Sequence, residues 1–75
     1  MTPSEVVTLM EEILMVDDVE PDDSFFEVGG NSLLAVQFIA AVESRSGVAL
    51  TLSGVIRNPT PEGISQLITS SVEDN

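Results

Sequence analysis

An all-α fold is predicted for this chain, a small bundle of three main helices and one short one. Two threonine–proline starts each open an apolar pattern of helical period, and a third apolar stretch closes on a glycine. The one segment that alternates like a strand, Val48 to Leu52, has no second strand to pair with and is read as loop.

Thr2-Pro3-Ser4-Glu5 carries the first start, with Thr2 as N-cap, Pro3 at the first helical position and Glu5 closing a capping box. Val6, Val7, Leu9, Met10, Ile13 and Leu14 then share a face that belongs to the core, while Thr8, Glu11 and Glu12 share the other. From Val16 to Asn31 the helical pattern stops. Asp17, Asp18, Glu20, Pro21, Asp22, Asp23 and Ser24 supply turn chemistry and solvated charge there. A loop of this length in a small domain needs anchoring, and Phe25 and Phe26 are expected to provide it, one or both entering the core.

Ser32 to about Ser46 reads as the second helix, ended by Gly47 in the left-handed position. Every residue from Leu33 to Val42 is apolar except Gln37, more than a single core-facing stripe requires. At about 100° per residue, Leu34, Ala35, Phe38, Ile39, Ala41 and Val42 fall on one arc, and Leu33, Val36 and Ala40 on the opposite one. Gln37, Glu43 and Ser44 share that second arc, so it is expected to face solvent as a protein contact surface, the alternative being that a further helix covers it. Ser53 to Arg57 forms one short helical turn, ended by Asn58-Pro59 because a residue before proline avoids the helical region. Thr60-Pro61-Glu62 repeats the opening signal, and Ile64, Leu67, Ile68 and Val72 follow at helical spacing. Ser70 to Asn75 is expected to fray.

Seventy-five residues make one domain, 1–75, with a modest core, since a chain this short buries only about 60% of its unfolded surface. It begins with Met1 and shows no linker-like extension, as a free-standing protein would, although an excised domain with an added start codon would read the same. No apolar run approaches the ~20 residues of a membrane span. With neither a basic, apolar-cored leader nor a cysteine, the expected compartment is the cytoplasm.

Two basic residues, Arg45 and Arg57, stand against thirteen acidic ones, for a net charge of −11. Such a surface repels nucleic acid and draws electropositive protein faces, unless it serves solubility alone. There is no His, Cys, Lys, Tyr or Trp, so a serine hydroxyl has only weakly basic carboxylates for help, and autonomous catalysis is not expected. Asp18, Glu20 and Asp22 have the alternate spacing of a calcium loop, but Asp23 stands where such a loop needs glycine and Gly29 where it needs an acid.

The stretch Asp23-Ser24-Phe25-Phe26-Glu27-Val28-Gly29-Gly30-Asn31-Ser32-Leu33-Leu34 resembles the attachment site of phosphopantetheine-dependent carrier proteins. The resemblance continues through Gly47-Val48 and Asn58-Pro59-Thr60 into the last helix. It implies that Ser32 takes a covalent 4'-phosphopantetheine from coenzyme A, within an attachment loop that includes Gly29, Gly30 and Asn31. Chemistry agrees, because a serine at a helix start meets unpaired backbone N–H groups that favour an attached phosphate. Gly29 and Gly30 permit unusual backbone angles and leave room for an incoming enzyme. Taken alone, a serine at this position is more often a plain helix cap.

The resemblance further implies a non-catalytic, monomeric shuttle with no nucleic-acid or membrane partner. A phosphopantetheinyl transferase, an adenylating or acyl-loading enzyme and downstream condensing, transferring or tailoring enzymes are the implied partners. The contact surface would comprise Leu33, Val36, Gln37, Ala40 and Glu43, with Val55, Ile56 and Arg57 as its second half; Arg57 could equally satisfy an acidic neighbour. The paired glycines and phenylalanines look more like peptidyl and aminoacyl carriers of nonribosomal and hybrid polyketide pathways. Asn31 in place of aspartate, and Glu43 as the single acid on the second helix, depart from fatty-acid carriers. The expected function is transport of a thioester-bound aminoacyl, peptidyl or acyl group in a secondary-metabolite pathway. The alternatives are a primary-metabolism acyl or D-alanyl carrier and an unmodified interaction module of the same fold.

Overall fold

The computed structural model describes residues 1–73, with side chains through residue 71. Among the described residues there are four helices and no strand: α1 (Pro3–Leu14), α2 (Ser32–Ser46), α3 (Leu52–Arg57) and α4 (Pro61–Glu73). This is the expected three-plus-one arrangement. α1 packs against α2 and α4, and α3 packs against α2. No helix among the described residues is long and apolar enough to cross a membrane.

Local capping chemistry sets most of the boundaries. Thr2 Oγ1 accepts the Glu5 N–H at 3.2 Å, and Glu5 Oε1 accepts the Thr2 N–H at 2.9 Å, closing the capping box of α1. Met15, at φ 58°, takes the left-handed position that ends α1. Gly47 does the same for α2 at φ 76°. Thr51 Oγ1 accepts the Gly54 N–H at 2.9 Å, so α3 starts at Leu52, one residue before the sequence expectation. Thr60 Oγ1 accepts the Gly63 N–H at 3.1 Å in front of α4. Ser70 to Glu73 remain helical where fraying was expected, since propagation of a formed helix costs little. The side chain of Val72 and the last two residues lie outside the described part of the chain.

The core is built from Val6, Leu9 and Met10 of α1, Ala35, Phe38 and Val42 of α2, Val55 of α3, and Ile64 and Ile68 of α4. Val7, Ile13 and Leu14 of α1 are only partly buried around it. The connection from α1 to α2 adds two anchors. Phe25 is fully buried, its ring 5.4 Å from that of Phe38, while Phe26 is partly buried against the edge of Phe25 at 5.3 Å. Val19 is the anchor that the sequence reading passed over; its N–H donates to Glu11 Oε2 at 3.1 Å. Two main-chain bonds then strap the loop to the α3–α4 junction, Phe25 N–H to the Pro59 carbonyl at 2.8 Å and Glu62 N–H to the Pro21 carbonyl at 3.2 Å. The amino terminus is tied by the buried Ser65, whose hydroxyl donates to the Met1 carbonyl at 2.7 Å.

The capping box has a pH signature. Donation from the Thr2 backbone N–H, and then from its hydroxyl, holds the Glu5 carboxyl below its ordinary value. A carboxylate lowered in the folded state contributes stability above its unfolded pKa and loses it as pH falls through the folded value. Glu5→Gln is therefore expected to lower the melting temperature at neutral pH, with the gap to the parent closing as pH drops below about 4. Calorimetry at stepped pH checks this; a gap independent of pH contradicts it.

Candidate functional site

Ser32 is the first residue of α2 and is exposed. The cap is its neighbour: Asn31 is extended (φ −144°, ψ −179°) and its Oδ1 accepts the Leu34 N–H at 2.9 Å. The plain-cap alternative for Ser32 is thereby overturned, because one side chain fills the cap and it belongs to Asn31. Among the described residues, no hydrogen bond engages the Ser32 hydroxyl. The first turn of the 15-residue α2 holds no carboxylate, so the positive end of its dipole is open to an anion. These residues suit a phosphodiester on the serine oxygen.

The two glycines before the cap are required for different reasons. Gly29 has φ 116° with open space around it, a conformation that only glycine adopts without strain. Gly30 has no such angle, which corrects the common conformational reading of the pair. A Cβ at Gly30 would collide with the Phe25 ring edge at Cδ1 and Cε1 and lie 2.5 Å from the Phe25 carbonyl oxygen. Close packing is what Gly30 provides.

The outer arc of α2 faces solvent, and no helix of the described chain covers it. Leu33 is 69% exposed and Val36 54%, while Gln37, Ala40, Glu43 and Ser44 are also exposed. On α3, Ile56 is 54% exposed and Arg57 is exposed. Val55 does not join them: it is 0% exposed and part of the core, which removes it from the expected contact surface. The two neighbours diverge because α3 packs on α2, and successive residues of a helix point about 100° apart. Arg45 pairs with Glu12 at 3.1 Å, whereas Arg57 makes no ion pair among the described side chains. What the sequence reading missed here is the capping role of Asn31, although its preference for that position and its spacing to Leu34 signalled it.

Residues 4–68 match the family model described as the phosphopantetheine attachment site. Surfactin synthase subunit 1 of Bacillus subtilis (strain 168) is 34% identical over 70 residues, which is 93% of this chain and 2% of that protein. Indigoidine synthase of Streptomyces lavendulae is 35% identical over 71 residues, 95% of this chain and 6% of that protein. The chain thus spans a few per cent of the length of these curated relatives. Among solved structures, a chain of the complex of the phosphopantetheine transferase Sfp with coenzyme A and a peptidyl carrier protein superposes with a TM-score of 0.89. That match has 27% identity and covers 93% of this chain and 91% of the other.

Val55 and Ile56 separate core from surface by adjacent substitutions. Val55→Asp is expected to abolish cooperative folding, since it buries an unpaired charge. Ile56→Asp is expected to hold stability within about 0.5 kcal/mol of the parent. Urea unfolding followed by circular dichroism checks both, and equal stabilities for the two variants would contradict the assignment.

Proposed function

Since this chain belongs to the phosphopantetheine attachment-site family, we propose that Ser32 is the residue that receives the arm, within a loop formed by Gly29, Gly30 and Asn31. The chain is a carrier and not a catalyst, and its cofactor is 4'-phosphopantetheine attached covalently from coenzyme A. One observation carries the Ser32 assignment. The side chain stands exposed at the first position of α2 while Asn31 supplies the cap, so the hydroxyl is spared for chemistry.

Residues 1–75 act as one monomeric carrier domain in this reading. In modification, the Ser32 oxygen forms a bond to the pantetheine-side phosphorus of coenzyme A, and adenosine 3',5'-bisphosphate leaves with the electrons of the broken P–O bond. The hydroxyl proton passes to a base of the transferase, because the chain has no histidine, lysine or cysteine. The N–H groups at the start of α2 would favour the negative charge of a phosphodiester on that oxygen. The arm supplies the thiol that holds an aminoacyl, peptidyl or acyl cargo, which a chain without cysteine cannot do for itself.

Leu33, Val36, Gln37, Ala40 and Glu43 of α2, with Ile56 and Arg57 of α3, form the face read by the transferase. The same face serves an adenylating or acyl-loading enzyme and the condensing, transferring or tailoring enzymes of a secondary-metabolite pathway. The charge of −11 favours basic protein surfaces over nucleic acid. The compartment in this reading is the cytoplasm, in keeping with a chain that has no cysteine.

Incubation with coenzyme A and a broad-specificity phosphopantetheinyl transferase is expected to add one arm by intact-mass measurement, and Ser32→Ala to add none. Modification of Ser32→Ala, or a parent left unmodified by several transferases, overturns the assignment. The contact face has its own test. Val36→Asp is expected to keep the parental melting temperature yet load at least about tenfold more slowly, as a charge forced into a desolvated contact costs a kcal/mol or more. Loading of the parent should also slow with salt as the Debye length shrinks below about 8 Å. A Val36→Asp variant that loads at the parental rate removes the outer arc from the contact face.

A further inference from the structure

We propose that Phe25 and Gly30 act as a pair of positioning residues that hold Ser32 for modification, a role beyond anchoring the loop and one that rests on Ser32 being the attachment point. The two are fitted to each other at atomic contact. Gly30 donates its N–H to the Phe25 carbonyl at 2.9 Å, and the place where a Cβ of residue 30 would sit is taken by the Phe25 ring edge and lies 2.5 Å from that same carbonyl oxygen.

Phe25 is itself fixed from outside the loop. Its ring is fully buried against Phe38 of α2, at 5.4 Å, and its N–H is held by the Pro59 carbonyl of the α3–α4 junction at 2.8 Å. The position of Ser32 is thus passed along a short series of contacts. Phe38 and Pro59 place Phe25, Phe25 places Gly30, and Asn31 continues extended from Gly30 to cap Leu34. Gly29, in open space at φ 116°, contributes no packing of its own. The remaining bonds within residues 24–28 close back on Ser24 and do not reach Gly30: Phe26 N–H to Ser24 Oγ at 3.3 Å, Glu27 N–H to the Ser24 carbonyl at 3.0 Å and Val28 N–H to the same carbonyl at 3.1 Å.

The consequence falls on the chemical step. In-line attack needs the serine oxygen at a defined place, and a displacement of about 1 Å can cost on the order of 100-fold in rate. Leu33, Val36 and Ile56 lie on α2 and α3, outside this contact, so recognition by the transferase should survive its loss. A positioning pair therefore lowers kcat while leaving KM in place, which a general loss of stability does not do.

The experiment compares Gly30→Ala with Gly30→Ala/Phe25→Leu, using coenzyme A, a broad-specificity transferase and intact-mass detection, with melting curves of each carrier. Gly30→Ala is expected to stay folded at the assay temperature and to lose about 10- to 100-fold in kcat, with KM within about twofold. The double variant should recover part of that kcat despite lower stability, because it removes the ring-edge contact and leaves the new methyl group only the Phe25 carbonyl oxygen to clear by a shift of the loop. Rescue by a second destabilising change is non-additive and marks direct coupling between the sites. Parental kcat in Gly30→Ala, a defect confined to KM, or a double variant no faster than Gly30→Ala overturns the proposal. If Gly30→Ala does not fold, Phe25→Leu alone carries the test: it is expected to fold and to lose kcat with KM within about twofold, and parental kcat or a defect confined to KM overturns the proposal. A parent unmodified at Ser32 defeats the attachment assignment and this proposal with it, whereas a modified parent matched by Gly30→Ala defeats this proposal alone.

Discussion

Burial of Phe25 between α2 and the α3–α4 junction is the contact on which the rest of the molecule depends. A chain of 75 residues that leaves residues 15–31 without a helix must order that stretch against a large entropy, about 1–2 kcal/mol per residue for the backbone alone. Few contacts offset it. Val19 and Phe25 are the two residues of the loop that are fully in the core, and the Pro59 and Pro21 carbonyls supply the straps. Because Phe25 lies next to Gly30, the contact that orders the loop also places the end of the loop from which Ser32 emerges.

α2 serves two purposes with one apolar sequence. Ala35, Phe38 and Val42 face inward, while Leu33 and Val36 stand out in solvent, an arrangement that a helix evolved only for the core would not need. Charge is kept off this outer face apart from Glu43, and much of the acidity lies in the connection that precedes α2, at Asp17, Asp18, Glu20, Asp22 and Asp23. An exposed apolar face beside a charged loop suits a partner found by electrostatic attraction and held by desolvation. The Ser32 hydroxyl sits at the start of this face.

Chemistry and carriage are divided by composition. With no histidine, lysine or cysteine, the chain can neither activate its serine nor hold a thioester, and both functions come from outside, one from the transferase and one from the arm. What the fold contributes is placement: an exposed oxygen, a helix start with no competing carboxylate, and a cap borne by the preceding residue.

The sequence by itself determined the helices. Thr2 with Glu5, Thr60 with Pro61 and the glycine after Ser46 are local signals, since a cap bonds within three or four residues of itself and needs no tertiary partner. The faces of α1 and α2 were legible for the same reason, as both helices are long enough for a period to show. Tertiary structure alone decided the rest. α3 is six residues long, too short to display a period, so only its seat on α2 sends Val55 inward and leaves Ile56 outside. Val19 joins the core through a bond from eight residues away, and Gly30 is needed because of a ring five residues back that α2 and Pro59 hold in place. Such requirements arise from groups brought together by packing, and no local spacing encodes them.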